Sequence, residues 1–181
     1  PMKELNRRAF LTLTGAAVAM MALAACGADD APAVPPAPAV PTNGEEAKVL
    51  EAINKYRAAA GVKEQIALDN GLKPAAELVV KIAKGEMTFD EKAAEALGKA
   101  IVGYNEVSAP IGIAADKDTG NIMPVCVYSE DAEKMAQKLP LQLDEDAKEN
   151  LKSASLIAIQ LFEYDGVKYW VAVAAKGKVK P

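Results

Sequence analysis

The chain has 181 residues, a formal net charge of −4, two cysteines, no histidine, and aromatic residues at 5%. Without histidine there is no Ser-His-Asp or Cys-His catalysis and no imidazole metal site. Two cysteines make neither a disulfide scaffold nor a structural zinc site, and an acidic chain lacks the basic face that nucleic acid and anionic lipid surfaces need.

In chain order, Lys3, Arg7 and Arg8 come first, then the apolar run Ala9–Ala25, then Cys26. A basic start, a short apolar run and small residues before a cut site describe an export signal. The run contains Thr12, Thr14 and Gly15 and falls short of the roughly 20 apolar residues of a membrane span, so an uncleaved transmembrane helix is the weaker reading. Arg7-Arg8-Ala9-Phe10-Leu11 resembles the twin-arginine export motif, although the general secretory route also accepts paired arginines. Leu23-Ala24-Ala25-Cys26 resembles the lipobox of bacterial lipoproteins, in which the peptidase cuts before a cysteine that carries lipid. The expectation is a signal peptide over 1–25 and lipid attachment at Cys26. The retained chain then sits outside the cytoplasm, anchored to a bacterial membrane. Cleavage also removes more basic than acidic residues, leaving the mature chain more acidic, and Cys126 without an intramolecular partner.

Residues 26–43 carry the lipidated cysteine and a linker in which Pro32, Pro35, Pro36, Pro38 and Pro41 alternate with Ala and Val. This composition favours extended polyproline II and offers no face to bury, so it reads as a spacer.

The folded domain is expected over 44–181. Thr42 and Glu45 fit a capping box, and Val49, Ile53, Tyr56 and Ala60 form one stripe of a helix over 44–60 that Gly61 ends. Arg57, one turn from Asn54, either binds an anion or, as the commoner role, pairs with a carboxylate and fixes the helix to a neighbour. Residues 66–69 read as a short extended link and 72–84 as a second helix, with Pro74 tolerated in its first turn. Thr88 is the expected cap of a third helix over 89–102. Strands follow at 107–115 and 122–128, with 116–121 as the turn between them. Asp116-Lys117-Asp118-Thr119-Gly120-Asn121 has a glycine one place too early for a calcium loop, and Val127 stands where the closing glutamate belongs. Ser129 is the expected cap of a helix over 130–139, and 144–152 completes the helices. The acidic starts Glu130-Asp131 and Asp144-Glu145-Asp146 suit the helix dipole better than a catalytic pair.

The clearest signal is last. Leu156–Tyr164, Asp165-Gly166 and Val167–Ala175 read as a hairpin with a two-residue turn, setting Glu163 opposite Lys168, Phe162 opposite Tyr169 and Leu161 opposite Trp170. Both of its faces are apolar, Gln160 excepted, so the strands lie inside a sheet covered by helices on both sides. The expected fold is α+β: a three-layer α-β-α sandwich with a small antiparallel sheet between helices.

At this point the chain resembles the CAP superfamily, the cysteine-rich secretory and pathogenesis-related sandwich. Asn54, Arg57 and Gly61, then Ile66, Leu68-Asp69, Leu72 and Ala76, follow its opening pattern. Gly103-Tyr104 with Val107 and Ile111 resembles the lead into its second motif, and Tyr169-Trp170-Val171 resembles its final strand. The resemblance implies a cavity, but the family's two cavity histidines are absent here, and Ser108-Ala109-Pro110 stands in place of Gly-Glu-Asn. It therefore implies a scaffold with grooves, Ser108, Ala109 and Pro110 marking the candidate groove. The expected role is a non-catalytic, lipid-anchored binding module for a partner protein, envelope polymer or apolar ligand, with no cofactor, no metal and no nucleic acid. The alternative is a carboxylate-only envelope hydrolase, which needs two facing carboxylates in an aromatic cleft. A solute receptor is disfavoured because one small domain leaves no two-lobed cleft.

Overall fold

The computed structural model describes residues 44–179; Arg7, Arg8, Cys26 and Thr42 lie outside the described residues. The fold is α+β. Helix α1 spans Gly44–Ala59 and buries Val49, Ile53 and Tyr56 of the expected stripe; Ala60, its fourth member, falls past the helix end and is exposed. Strand β1, Ala67–Leu68, leads through a 3₁₀ turn, Asn70–Leu72, into α2, Lys73–Ala83. Helix α3 is Glu91–Ala100. Strand β2, Tyr104–Ile111, is followed by the small hairpin of β3, Ile113–Ala115, and β4, Ile122–Pro124. Helices α4, Ala132–Gln142, and α5, Glu145–Ser153, precede the long strands β5, Leu156–Tyr164, and β6, Val167–Lys178.

The β5–β6 hairpin organises the rest. Its register pairs Glu163 with Lys168, Phe162 with Tyr169 and Leu161 with Trp170, as the two-residue turn dictates. Asp165 and Gly166 have φ of 53° and 74°, the positive values a type I′ turn needs. Alternation sends the two sets of side chains to opposite faces. Ile157, Ile159, Trp170, Ala172 and Ala174 pack with α1, α4 and α5. Ala158, Val171, Val173 and Ala175 pack with α2 and α3. Each fully buried Ile, Leu or Val contributes about 1.5–3 kcal/mol, so two such layers supply the core without any cross-link.

The sheet is mixed rather than purely antiparallel. Its order is β1-β5-β6-β2, and β1 runs parallel to β5, with Ala67 beside Leu156 and Leu68 beside Ile157. The expected strand over 107–115 breaks at Gly112, where φ is 98° and an added Cβ would lie 2.6 Å from the Trp170 carbonyl oxygen. Only glycine lets the chain leave the sheet here. Residues 113–124 then form the separate β3–β4 hairpin, which the Val125 amide closes by donating to the Gly112 oxygen at 2.9 Å. The expected strand over 122–128 likewise ends at Pro124, which has no amide proton. The chain rejoins β6 further on: Trp170 N–H donates to the Cys126 carbonyl and Tyr128 N–H to the Lys168 carbonyl, both at 2.9 Å. The 116–121 segment is a turn, with Asp116 Oδ1 accepting from the amides of Asp118 and Thr119.

Two caps differ from expectation. Asp90, not Thr88, caps α3 by accepting from the Ala93 amide at 2.9 Å; Asp131, not Ser129, caps α4 by accepting from the Lys134 amide at 3.1 Å. In each case the carboxylate stands nearer the first turn, where it reaches the third amide. Ser129 Oγ instead accepts from the Asp131 amide. Helix α4 also runs on through Pro140 to Gln142, and the Leu143 amide closes it on Leu139.

Candidate functional site

One end of the sheet is closed by two buried charges. Arg57 is 2% exposed. Its guanidinium donates to the carbonyls of Leu151, Lys152 (3.1 Å) and Ala154 (2.8 Å) at the end of α5, and to Glu64 (3.1 Å) in the link after α1. It does fix a helix to its neighbour, but through backbone carbonyls rather than the carboxylate expected, since the last turn of a helix presents several unpaired acceptors at once. Asn54, one turn earlier, accepts from the Ile66 amide at 3.0 Å and holds the same link.

Asp69 is 5% exposed. Its Oδ1 accepts from the Gly71 amide at 2.8 Å and the Tyr104 hydroxyl at 2.7 Å; Lys178 Nζ lies 2.8 Å from Oδ2. Burial pushes this carboxyl up, but the bonds from Lys178, Tyr104 and Gly71 outweigh burial and leave it below its ordinary range. The Tyr104 phenol is driven well above its ordinary value by burial and by Asp69. A Cβ on Gly71 would fall 1.9 Å from the Tyr104 hydroxyl, so the glycine is what admits the ring. The group ties together the exit of β1, the start of β2 and the end of β6. With the carboxylate's acceptors occupied and the phenol held protonated, it is a lock rather than an acid–base pair.

Three hollows among the described residues lie away from that lock. The β3–β4 hairpin has a cleft on each side. The first, about 240 Å³, is lined by Pro110, Gly112, Ile113, Ile122, Leu141 and Leu143, with Gln142 and Asp144 as its polar side chains. Both polar groups are already engaged: Gln142 Nε2 donates to the Val125 carbonyl at 3.1 Å, and Asp144 accepts from the Ala147 amide at 2.7 Å. The lining is of mixed polarity, and Leu141, one of its residues, is 86% exposed. The second, about 450 Å³, lies on the α2 side and is lined by Ile82, Met87, Thr88, Phe89, Asn121 and Tyr164 among others. A third groove, about 490 Å³, runs between α1 and the link after it; its Glu51 lies 3.9 Å from both Lys48 and Lys55.

Of the residues expected to mark a groove, Pro110 lines the first cleft, whereas Ser108 and Ala109 do not. All three sit on the edge strand β2 rather than on a helical face; Ser108 Oγ donates to the Ala174 carbonyl, and Ala109 packs against the α2–α3 core. Leu141 and Gln142 carry no sequence signal for this site, and Asp144 is readable only as an acidic helix start, because all three come from the α4–α5 corner some thirty residues on. For the lock, Asp69-Asn70-Gly71 is a readable turn signal, but its partners Tyr104 and Lys178 are not readable. Cys126 is buried among core residues, and burial pushes its thiol up to about 12, far from a reactive thiolate. Among the described residues no group of three or more Asp, Glu or Cys is placed to hold a metal ion, and no helix is long and apolar enough to cross a membrane. The first cleft holds one carboxylate, Asp144, and the second holds none.

Comparison of the chain with protein-family models, with curated proteins and with solved structures found no match.

Proposed function

We propose that the chain is an extracytoplasmic lipoprotein, anchored through lipid on Cys26, whose 44–181 domain is a non-catalytic, CAP-like binding module. It receives an apolar ligand, or the apolar side chain of a partner, in the cleft beside Pro110. The observation that carries this reading is that cleft's lining: Pro110, Ile113, Ile122, Leu141 and Leu143 border a hollow whose two polar side chains each make a hydrogen bond within the domain, and Leu141 is uncovered. A hollow of this kind gains by excluding water from apolar surface, and its one carboxylate, Asp144, has no second carboxylate facing it. The CAP-like reading draws support from the chain order of two helices joined by a short strand and a closing antiparallel hairpin between helical layers. The anchor reading draws support from Leu23-Ala24-Ala25-Cys26 and the basic and apolar segments before it.

Two measurements test the reading. Cells grown with radiolabelled palmitate should label the wild-type chain and leave Cys26→Ser unlabelled; label on the variant contradicts the anchor. The uncharged fluorophore 1-aminoanthracene should bind the purified chain saturably, and Leu141→Glu should weaken it by about tenfold, as loss of a well-packed contact does. Equal binding to both proteins contradicts the cleft.

A further inference from the structure

The cleft on the α2 side of the β3–β4 hairpin differs in chemistry from its neighbour. Charged residues make up 25% of the chain, yet none lines this cleft. Its lining combines two aromatic rings, Phe89 and Tyr164, with Met87 and with neutral hydrogen-bonding side chains, Thr88 and Asn121. The Tyr164 ring meets Tyr169 edge-on at 6.5 Å, and Tyr169 stacks on Phe162 at 6.1 Å, so the ring is held from behind by the sheet. Asn121 is held by its backbone alone: its carbonyl accepts from the Asp116 amide at 2.7 Å and its amide donates to Thr119 Oγ1 at 3.3 Å. Among the described residues its carboxamide makes no hydrogen bond, and neither does the Thr88 hydroxyl. Both residues are exposed, and a hydroxyl-rich occupant would offer them hydrogen-bond partners that a purely apolar one would not. A charged occupant would find no counter-charge in the lining. The occupant these groups suit is uncharged, flat and apolar on one face, and rich in hydroxyls at its edge.

We propose that this cleft is a saccharide subsite that takes an uncharged pyranose unit of a glycan. The C–H face of the ring lies against Tyr164, and its hydroxyls bond to Asn121 and Thr88. The site is separate from the cleft beside Pro110, so the failure of one leaves the other standing.

The test is a two-dimensional NMR titration of the full chain, in micelles of a detergent without a sugar headgroup, with the tetramers of N-acetylglucosamine and of glucose at up to about 10 mM. At least one should bind saturably, with shifts confined to residues 82–89, 115–122 and 164. Response to the first alone assigns the acetamido group to Asn121; response to both assigns recognition to the ring. Tyr164→Ala and Asn121→Ala should each weaken binding by about tenfold or more while leaving the melting temperature nearly unchanged, and Leu141→Glu should have no effect on it. No saturable shift with either sugar overturns the proposal. So do shifts located elsewhere, affinity unmoved by both variants, or binding only of a proline-rich peptide matching residues 30–43.

Discussion

The two ends of the sheet are built on opposite terms. At the end where β5 starts and β6 finishes, Arg57 and Asp69 are buried and bonded to groups of the same domain, Arg57 Nε alone of their polar atoms lacking a partner among the described residues. At the other end, Gly112 releases the chain into the β3–β4 hairpin, and the hollows on either side include exposed side chains, Leu141 in one and Thr88 and Asn121 in the other. On the proposed reading, stability and binding fall to different residues. A substitution of a buried group or of Gly112 should cost stability, whereas one at an exposed cleft residue such as Leu141 should, on the proposed reading, change what is held and little else.

The largest effects are expected where a buried group loses its surroundings. Trp170→Ala removes a ring that is 1% exposed and should cost about 3–5 kcal/mol in chemical denaturation. An unchanged denaturation midpoint would place that ring outside the core. Arg57→Ala should fall in the same range, because it leaves several carbonyls of the α5 terminus without a donor. Arg57→Lys should recover only a part, since one ammonium does not span carbonyls on two elements; full recovery would mean that charge alone matters there.

Gly112→Ala comes next, at about 2 kcal/mol or more, from a left-handed backbone combined with the Trp170 carbonyl in its way. Gly71→Ala should cost about 1–3 kcal/mol by expelling the Tyr104 hydroxyl from Asp69. In a Tyr104→Phe background most of that second penalty should vanish, because the atom in the way is gone. Strict additivity of the two would contradict the lock.

The Asp69 carboxyl is held below its ordinary value of 3.8, so its contribution is complete above that value and is lost as the pH falls from there through the folded value. Melting temperature followed from pH 6 into acid should therefore drop more steeply for the wild type than for Asp69→Asn. Parallel curves would show that the carboxylate is not linked to folding. The smallest effects belong to the open end: Leu141→Glu, at a residue 86% exposed, should stay within about 0.5 kcal/mol of wild type.

The same division governs what could be read from the sequence. The hairpin register is legible because turn length and alternation act over adjacent residues, and Asp165-Gly166 admits one geometry. The first helix is legible from its apolar stripe and the later ones from their caps and acidic starts, but the starts of α3 and α4 shift by a residue or two, since Thr88 competes with Asp90 and Ser129 with Asp131 within a single turn. Strand β1 is two residues long and has no period to detect, so the parallel pairing that makes the sheet mixed stays hidden. Gly112 looks like part of an apolar run until the Trp170 carbonyl beside it is known. Of the first cleft only Pro110 is foreseeable, because its opposite wall comes from the α4–α5 corner and the pairing is fixed by packing rather than by spacing.

The most direct test of the central claim, that this domain binds at the open end of the sheet, is to locate 1-aminoanthracene on the labelled full chain by amide shifts. The account predicts a saturable set confined to residues 110–115, 122–125 and 141–147, with Asp69, Gly71 and Tyr104 unmoved. Shifts centred on the Asp69 lock, or saturable binding without shifts at either β3 or the α4–α5 corner, would contradict it.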